Sequence, residues 1–112
     1  MGKYSIGEFE EIVLLTVAVL YENAYGIAIK EDIETRLKRP VSVGAMRIAL
    51  KRLEKKGFLT SEFGEATAVR GGKRKRYFKV TPFGKKALEE AMAARQQLWE
   101  AIPSVAFDFK FI

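Results

Sequence analysis

Apolar and polar residues follow two rhythms along this chain, and each change of rhythm marks an element. Over residues 42–57, Met46, Ala49, Leu50 and Leu53 recur at i, i+3, i+4 and i+7, the spacing of a helix with one core-facing stripe. Ile29, Ile33 and Leu37 form a shorter helical row over residues 27–37. Residues 8–22 are apolar nearly all round, from Ile12 through Leu20, which predicts a helix covered on more than one side. Over residues 58–63 and 76–81 the period drops to two: Leu59, Ser61 and Phe63 alternate with Thr60 and Glu62, and Tyr77 and Lys79 with Phe78 and Val80. Those two stretches predict strands. A last helix is predicted over residues 82–102, with Leu88, Ala91, Met92, Leu98, Trp99 and Ile102 along its apolar band. In the tail, Val105, Phe107, Phe109 and Phe111 alternate with more polar neighbours.

Capping residues sharpen these boundaries. Arg39-Pro40 closes the second helix, because the residue before proline avoids the helical region. Ser42 is placed to cap the third helix and Gly57 to end it in a left-handed turn. Thr81-Pro82 opens the fourth with a cap and a first-turn proline. Two short helices across a tight turn, followed by a hairpin, make a winged helix-turn-helix. The expected fold is mainly α with a small β-hairpin. Residues 1–81 are expected to form this winged helix-turn-helix domain, the part that would bind DNA, and residues 82–112 a dimerisation helix with an apolar tail. About 21 helical residues extend about 30 Å, too far for one small domain to cover. A homodimer is expected, with Leu15, Val19, Leu88, Met92, Leu98, Trp99 and Ile102 at its interface.

Charge gives this architecture a direction. The 112 residues carry 20 Lys and Arg against 14 Asp and Glu, a net +6. Residues 8–22 hold four acids and no base, whereas residues 70–86 hold eight bases and no acid. A surface so divided attracts a polyanion. His and Cys are both absent, which removes imidazole bases, thiolate nucleophiles and nearly every zinc site. Neither an enzyme, a metal nor a cofactor is expected. The longest apolar run is about ten residues, too short to span a bilayer, and a cytoplasmic protein is expected.

The basic third helix is the candidate for the DNA major groove. Arg47 is expected to read a base, since arginine grips guanine bidentately. Lys51, Arg52 and the hairpin bases Arg70, Lys73, Arg74, Lys75 and Arg76 are expected on phosphates. Gly71 and Gly72, amid those bases, allow close backbone approach. Gly-Gly-Lys here is not a P-loop, lacking the following Ser/Thr and the helix. Trp99, the sole tryptophan, is expected in the interface core, with a sharper reading as a stacking platform for a flat aromatic effector. The rival to double-stranded DNA is a protein- or RNA-interaction module in a larger assembly. Such a module has no need of so concentrated a basic hairpin.

Several segments, in order, carry a resemblance: Gly7-Glu8-Phe9-Glu10, Ala24-Tyr25-Gly26-Ile27, Val43-Gly44-Ala45, the run from Leu50 to Gly57, Gly71 to Phe78, and Thr81-Pro82-Phe83-Gly84. Over roughly residues 8–100 the chain resembles the PadR-like transcriptional regulators, in their short branch with one C-terminal helix. The resemblance implies a homodimer on a roughly palindromic operator, usually a repressor, released in some members by a small molecule. It also implies that Tyr25, Ser42, Gly44 and Lys51 lie at the DNA with the wing bases. Arg47-Ile48 stands where the family often has Tyr-Pro, which implies a changed operator.

Overall fold

Helix α1 (Glu8–Leu20) is the element on which the other helices are laid. The structure, a computed structural model, describes residues 6–64 and 74–110. Glu8, Glu10 and Glu11 fill the first turn of α1, where negative charge complements the helix dipole. Val13, Leu14 and Val17 are buried, while Leu15 and Val19 stay exposed on another side. The helix stops two residues short of its sequence-based limit. Tyr21 takes a positive φ of 52° and Tyr21–Asn23 forms a single 3-10 turn.

Helix α2 (Gly26–Leu37) buries Ile29 and Ile33 and ends at Lys38, which is left-handed. Glu34 then ties the turn down. Its carboxylate accepts from the Val41 backbone N–H at 3.0 Å and from Lys30 at 3.1 Å. Those bonds, the backbone one first, hold the Glu34 carboxyl below the usual carboxylate range. Helix α3 (Val43–Lys55) starts where expected, with Ser42 Oγ accepting from the Ala45 N–H at 3.0 Å. Its predicted stripe of Met46, Ala49, Leu50 and Leu53 is buried throughout. Gly57 follows at φ 83°.

Strands β1 (Leu59–Phe63) and β2 (Arg76–Val80) pair antiparallel, with Leu59 opposite Val80 and Phe63 opposite Arg76. The Phe78 N–H donates to Ala24 C=O at 2.8 Å, and Tyr25 bridges Tyr77, so the start of α2 is stitched to the hairpin. Of the predicted wing bases, Arg70 and Lys73 lie outside the described residues, as does Phe111 of the tail. Phe58, Leu14, Ile29, Ile33 and Leu53 are among the largest fully buried side chains, where the three helices meet the hairpin. Each contributes about 1.5–3 kcal/mol by leaving water.

Helix α4 (Pro82–Ala101) leaves this core along its own axis. Gly84 and Ala87 are buried, and Phe83 and Leu88 pack against the core. From Met92 to Ala101 every residue is exposed, and the molecule extends to 64 × 30 × 21 Å. The tail does not continue its alternation as a strand. Ser104–Phe107 forms a 3-10 turn that brings Phe107 to 6.2 Å from Trp99, with Phe109 6.0 Å beyond. Ile102 is half-buried at the turn. Among the described residues no helix is long and apolar enough to cross a membrane.

The acids of α1 each secure a different element. Glu8 pairs with Arg39 at 2.8 Å, Glu10 with Lys56 at 2.7 Å, and the nearly buried Glu11 with Arg95 of α4. Hydrogen bonding to Arg39 holds the Glu8 carboxyl below its ordinary value, and the acids in turn raise the Arg39 and Arg95 guanidinium groups.

Candidate nucleic-acid interface

The stripe that α3 buries determines what it shows. At about 100° per residue, Arg47, Lys51 and Lys55 fall within about 80° of one another, away from Met46, Ala49, Leu50 and Leu53. All three are exposed, and none has an acid partner among the described residues. Gly44 lies in the same sector, and a Cβ there would meet nothing within 4 Å. Packing within the chain therefore gives no reason for a glycine at that position.

The two edges of this face are bound to other elements. On one edge Arg52 leans toward Glu10 at 3.9 Å, beside the tighter Lys56–Glu10 pair. On the other, Glu54 accepts from Ser61 Oγ at 2.6 Å and from Arg76 at 3.4 Å, while Arg76 Nε donates to Ser61 Oγ at 2.8 Å. Arg76 also lies over the Phe63 ring at 5.3 Å. So Arg76 fastens the hairpin to α3, and Arg52 fastens α3 to α1. An open groove of about 580 Å³ runs between α3 and β2. Leu50 and Phe78 line it beside Arg47, Lys51, Lys55 and the paired Glu54 and Arg76.

Tyr25 joins this arrangement from the side of α2. Its ring meets Tyr77 edge-on at 5.6 Å, and Lys75 Nζ sits 4.1 Å over its face. A cation over an aromatic face is attracted by the ring quadrupole. Gly64 closes the base of the wing: a Cβ there would lie 2.6 Å from the Tyr77 ring. Tyr25, Lys75, Tyr77 and Gly64 thus fix the attitude of the hairpin, with Arg74 exposed next to Lys75.

Of the sequence-predicted residues, Gly44, Arg47 and Lys51 come together on α3, with Arg76 across the groove and Tyr25 and Lys75 at the wing base. Ser42 is exposed but committed to its cap. Met92, Leu98 and Trp99 lie far along α4 and exposed, Leu15 and Val19 on α1, and Leu88 is half covered by its own core. Sequence spacing set Lys55 on the basic side of the helix, four residues beyond Lys51, but left it out of the expected DNA contacts. It passed over Tyr77 and Gly64, whose contacts are tertiary and leave no local signal.

Comparison with known proteins gives this geometry its context. The model of the transcriptional regulator PadR-like family matches residues 14–90. A PadR-like transcription factor from Bacteroides fragilis is similar to this chain at 27% identity, covering 82% of it and 84% of its own length with a TM-score of 0.69. A PadR family transcription regulator from Clostridium difficile R20291 shares 27% identity over 80% of this chain and 91% of its own, TM-score 0.60. A PadR family regulator from Eggerthella lenta shares 27% over 83% and 80%, TM-score 0.64. No curated protein matches the chain. Members of the family are DNA-binding transcription factors rather than enzymes. Matched by the family model over more than half its length, with the four helices and paired strands of a winged helix in place, this chain belongs to the PadR-like family of transcriptional regulators.

Proposed function

We propose that the protein is a cytoplasmic repressor that binds a palindromic operator as a homodimer, with one α3 in each of two successive major grooves. The observation that carries this reading is the face of α3 itself: Arg47, Lys51 and Lys55 have no acid partner among the described residues, and Gly44 stands open beside them. Cations already neutralised within the fold have little left for phosphate, whereas these are free to displace counterions. Arg47 reads a base edge, Lys51 and Lys55 grip backbone, and Lys75 with Tyr25 sets the wing on flanking phosphates or the minor groove. The exposed Leu15, Val19, Met92, Leu98 and Trp99 support a dimer closed through α1 and α4. Two α3 helices would then be held about 34–36 Å apart, one turn of duplex. Trp99, its ring 6.2 Å from that of Phe107 and tilted 40° to it at the open end of α4, supports a flat aromatic effector at that interface.

The test compares Arg47→Ala with the wild type on a selected operator and on random duplex. Operator affinity is expected to fall by about 1–3 kcal/mol, roughly five- to 150-fold, with little change on random DNA. An equal loss on both would mean that Arg47 holds backbone only. Gly44→Ala separates binding from folding. With open space at the Cβ, stability should hold or rise by about 0.5 kcal/mol, since alanine is the better helix former. Operator affinity should fall by about tenfold, because the methyl intrudes where the helix N-terminus nears the backbone. Unchanged affinity would place Gly44 away from the DNA.

A further inference from the structure

Amid the cations of α3 stands an apolar side chain for which charge offers no reason. Ile48 is 54% exposed, beside Arg47 in sequence and flanked on the helix surface by Gly44, Ala45, Lys51 and Arg52. A helical side chain leans toward the N-terminus, over the preceding turn. For Ile48 that turn carries only Gly44 and Ala45, both exposed, and the space above Gly44 is empty. The isoleucine side chain is therefore left uncovered on that part of the face. β-Branching holds χ1 in one rotamer on a helix, so the γ-methyl is already fixed in place before any contact. Isoleucine is also a poorer helix former than alanine or lysine, so local helix stability does not explain it.

We propose that Ile48 is a specificity-determining residue that packs on the 5-methyl group of a thymine in the major groove, next to the base pair contacted by Arg47. The charge around it selects the occupant. A rigid apolar spot beside Arg47, Lys51 and Lys55, which have no acid partner among the described residues, complements a ligand with anionic edges and a methyl group between them. In the major groove, thymine presents that methyl among the hydrogen-bonding edges of the other bases. The inference rests on the reading of α3 as the groove-binding helix, and it adds which base α3 selects beside the Arg47 contact.

The experiment uses the full chain and a duplex selected from a random library. Each thymine pair of the palindrome is replaced in turn by deoxyuridine, which removes the methyl and keeps the pairing. One position is expected to weaken binding about fourfold per half-site, the value of one buried methyl-sized group, and the others not at all. Ile48→Ala should bind the thymine duplex as weakly as the wild type binds the uracil duplex, and should ignore the replacement. Ile48→Val should retain part of the effect. Because Ile48 is exposed and outside the core, the melting temperature of Ile48→Ala should hold or rise slightly, alanine being the better helix former. Tight binding with no uracil effect at any position, or an equal effect in Ile48→Ala, overturns this inference and leaves the DNA reading standing. If the library yields no preferred duplex, the groove reading falls and this one with it.

Discussion

Raising monovalent salt from 50 to 200 mM should weaken operator binding by about 10³–10⁵. The expectation comes from counting cations the fold leaves unspent. On α3, Arg47, Lys51 and Lys55 have no acid partner among the described residues, and Arg74 and Lys75 are exposed at the wing base. Arg39, Lys56 and Arg95 are excluded, because Glu8, Glu10 and Glu11 already hold them, and Arg76 because it is bound to Glu54 and Ser61. Three to five free cations among the described residues of this face, doubled in a dimer, give about six to ten phosphates and a log–log slope of about −5 to −9. Fluorescence anisotropy with a labelled duplex across a salt series reads this slope. A slope near half the expected value would mean one protomer on the DNA, and a slope shallower than about −2 would remove the polyanion as the partner.

The net charge of +6 is a poor guide to that slope, and the reason shows how far sequence alone reaches. Helical period placed Met46, Ala49, Leu50 and Leu53 in the core correctly, since burial of a stripe depends only on spacing along one helix. The same spacing put Arg52 among the DNA-facing bases, and it could not foretell that Glu10 of a different helix stands 3.9 Å from it. Which cation is spent inside the fold is a tertiary fact. So is the grip of Tyr25 on Lys75, between residues fifty positions apart. The contact of Phe107 with Trp99 is tertiary in the same way, and the alternation of the tail does not foretell it. The capping signals fared better: Ser42 and Thr81 each accept from the backbone N–H three residues on, because a cap is decided within one turn.

Gly84→Ala should be the most damaging single methyl added to this protein. Thr81, Pro82 and Gly84 form a joint where β2, α4 and the end of α3 meet. Thr81 Oγ1 accepts from the Gly84 N–H at 3.0 Å and donates to Gly57 C=O at 2.6 Å. The Thr81 N–H donates to Phe58 C=O at 3.0 Å, and the Phe83 ring lies 5.3 Å from that of Phe58. Gly84 rests directly on that same Phe58 peptide: a Cβ would lie 2.2 Å from its carbonyl oxygen and 3.0 Å from its carbon. The obstacle is backbone, so no rotamer change relieves it. Either α4 lifts off the core, exposing Ala87 and Phe83, or the Phe58–Thr81 bond breaks. Overpacking of this kind costs about 3 kcal/mol, which lowers the melting temperature of a domain this size by about 12–20 °C. Thermal denaturation followed by far-UV circular dichroism measures it, with Gly44→Ala as the control in which the added methyl has open space. A Gly84→Ala melting point within about 3 °C of wild type would mean that α4 is not seated on Phe58, and that its direction away from the winged domain is set elsewhere.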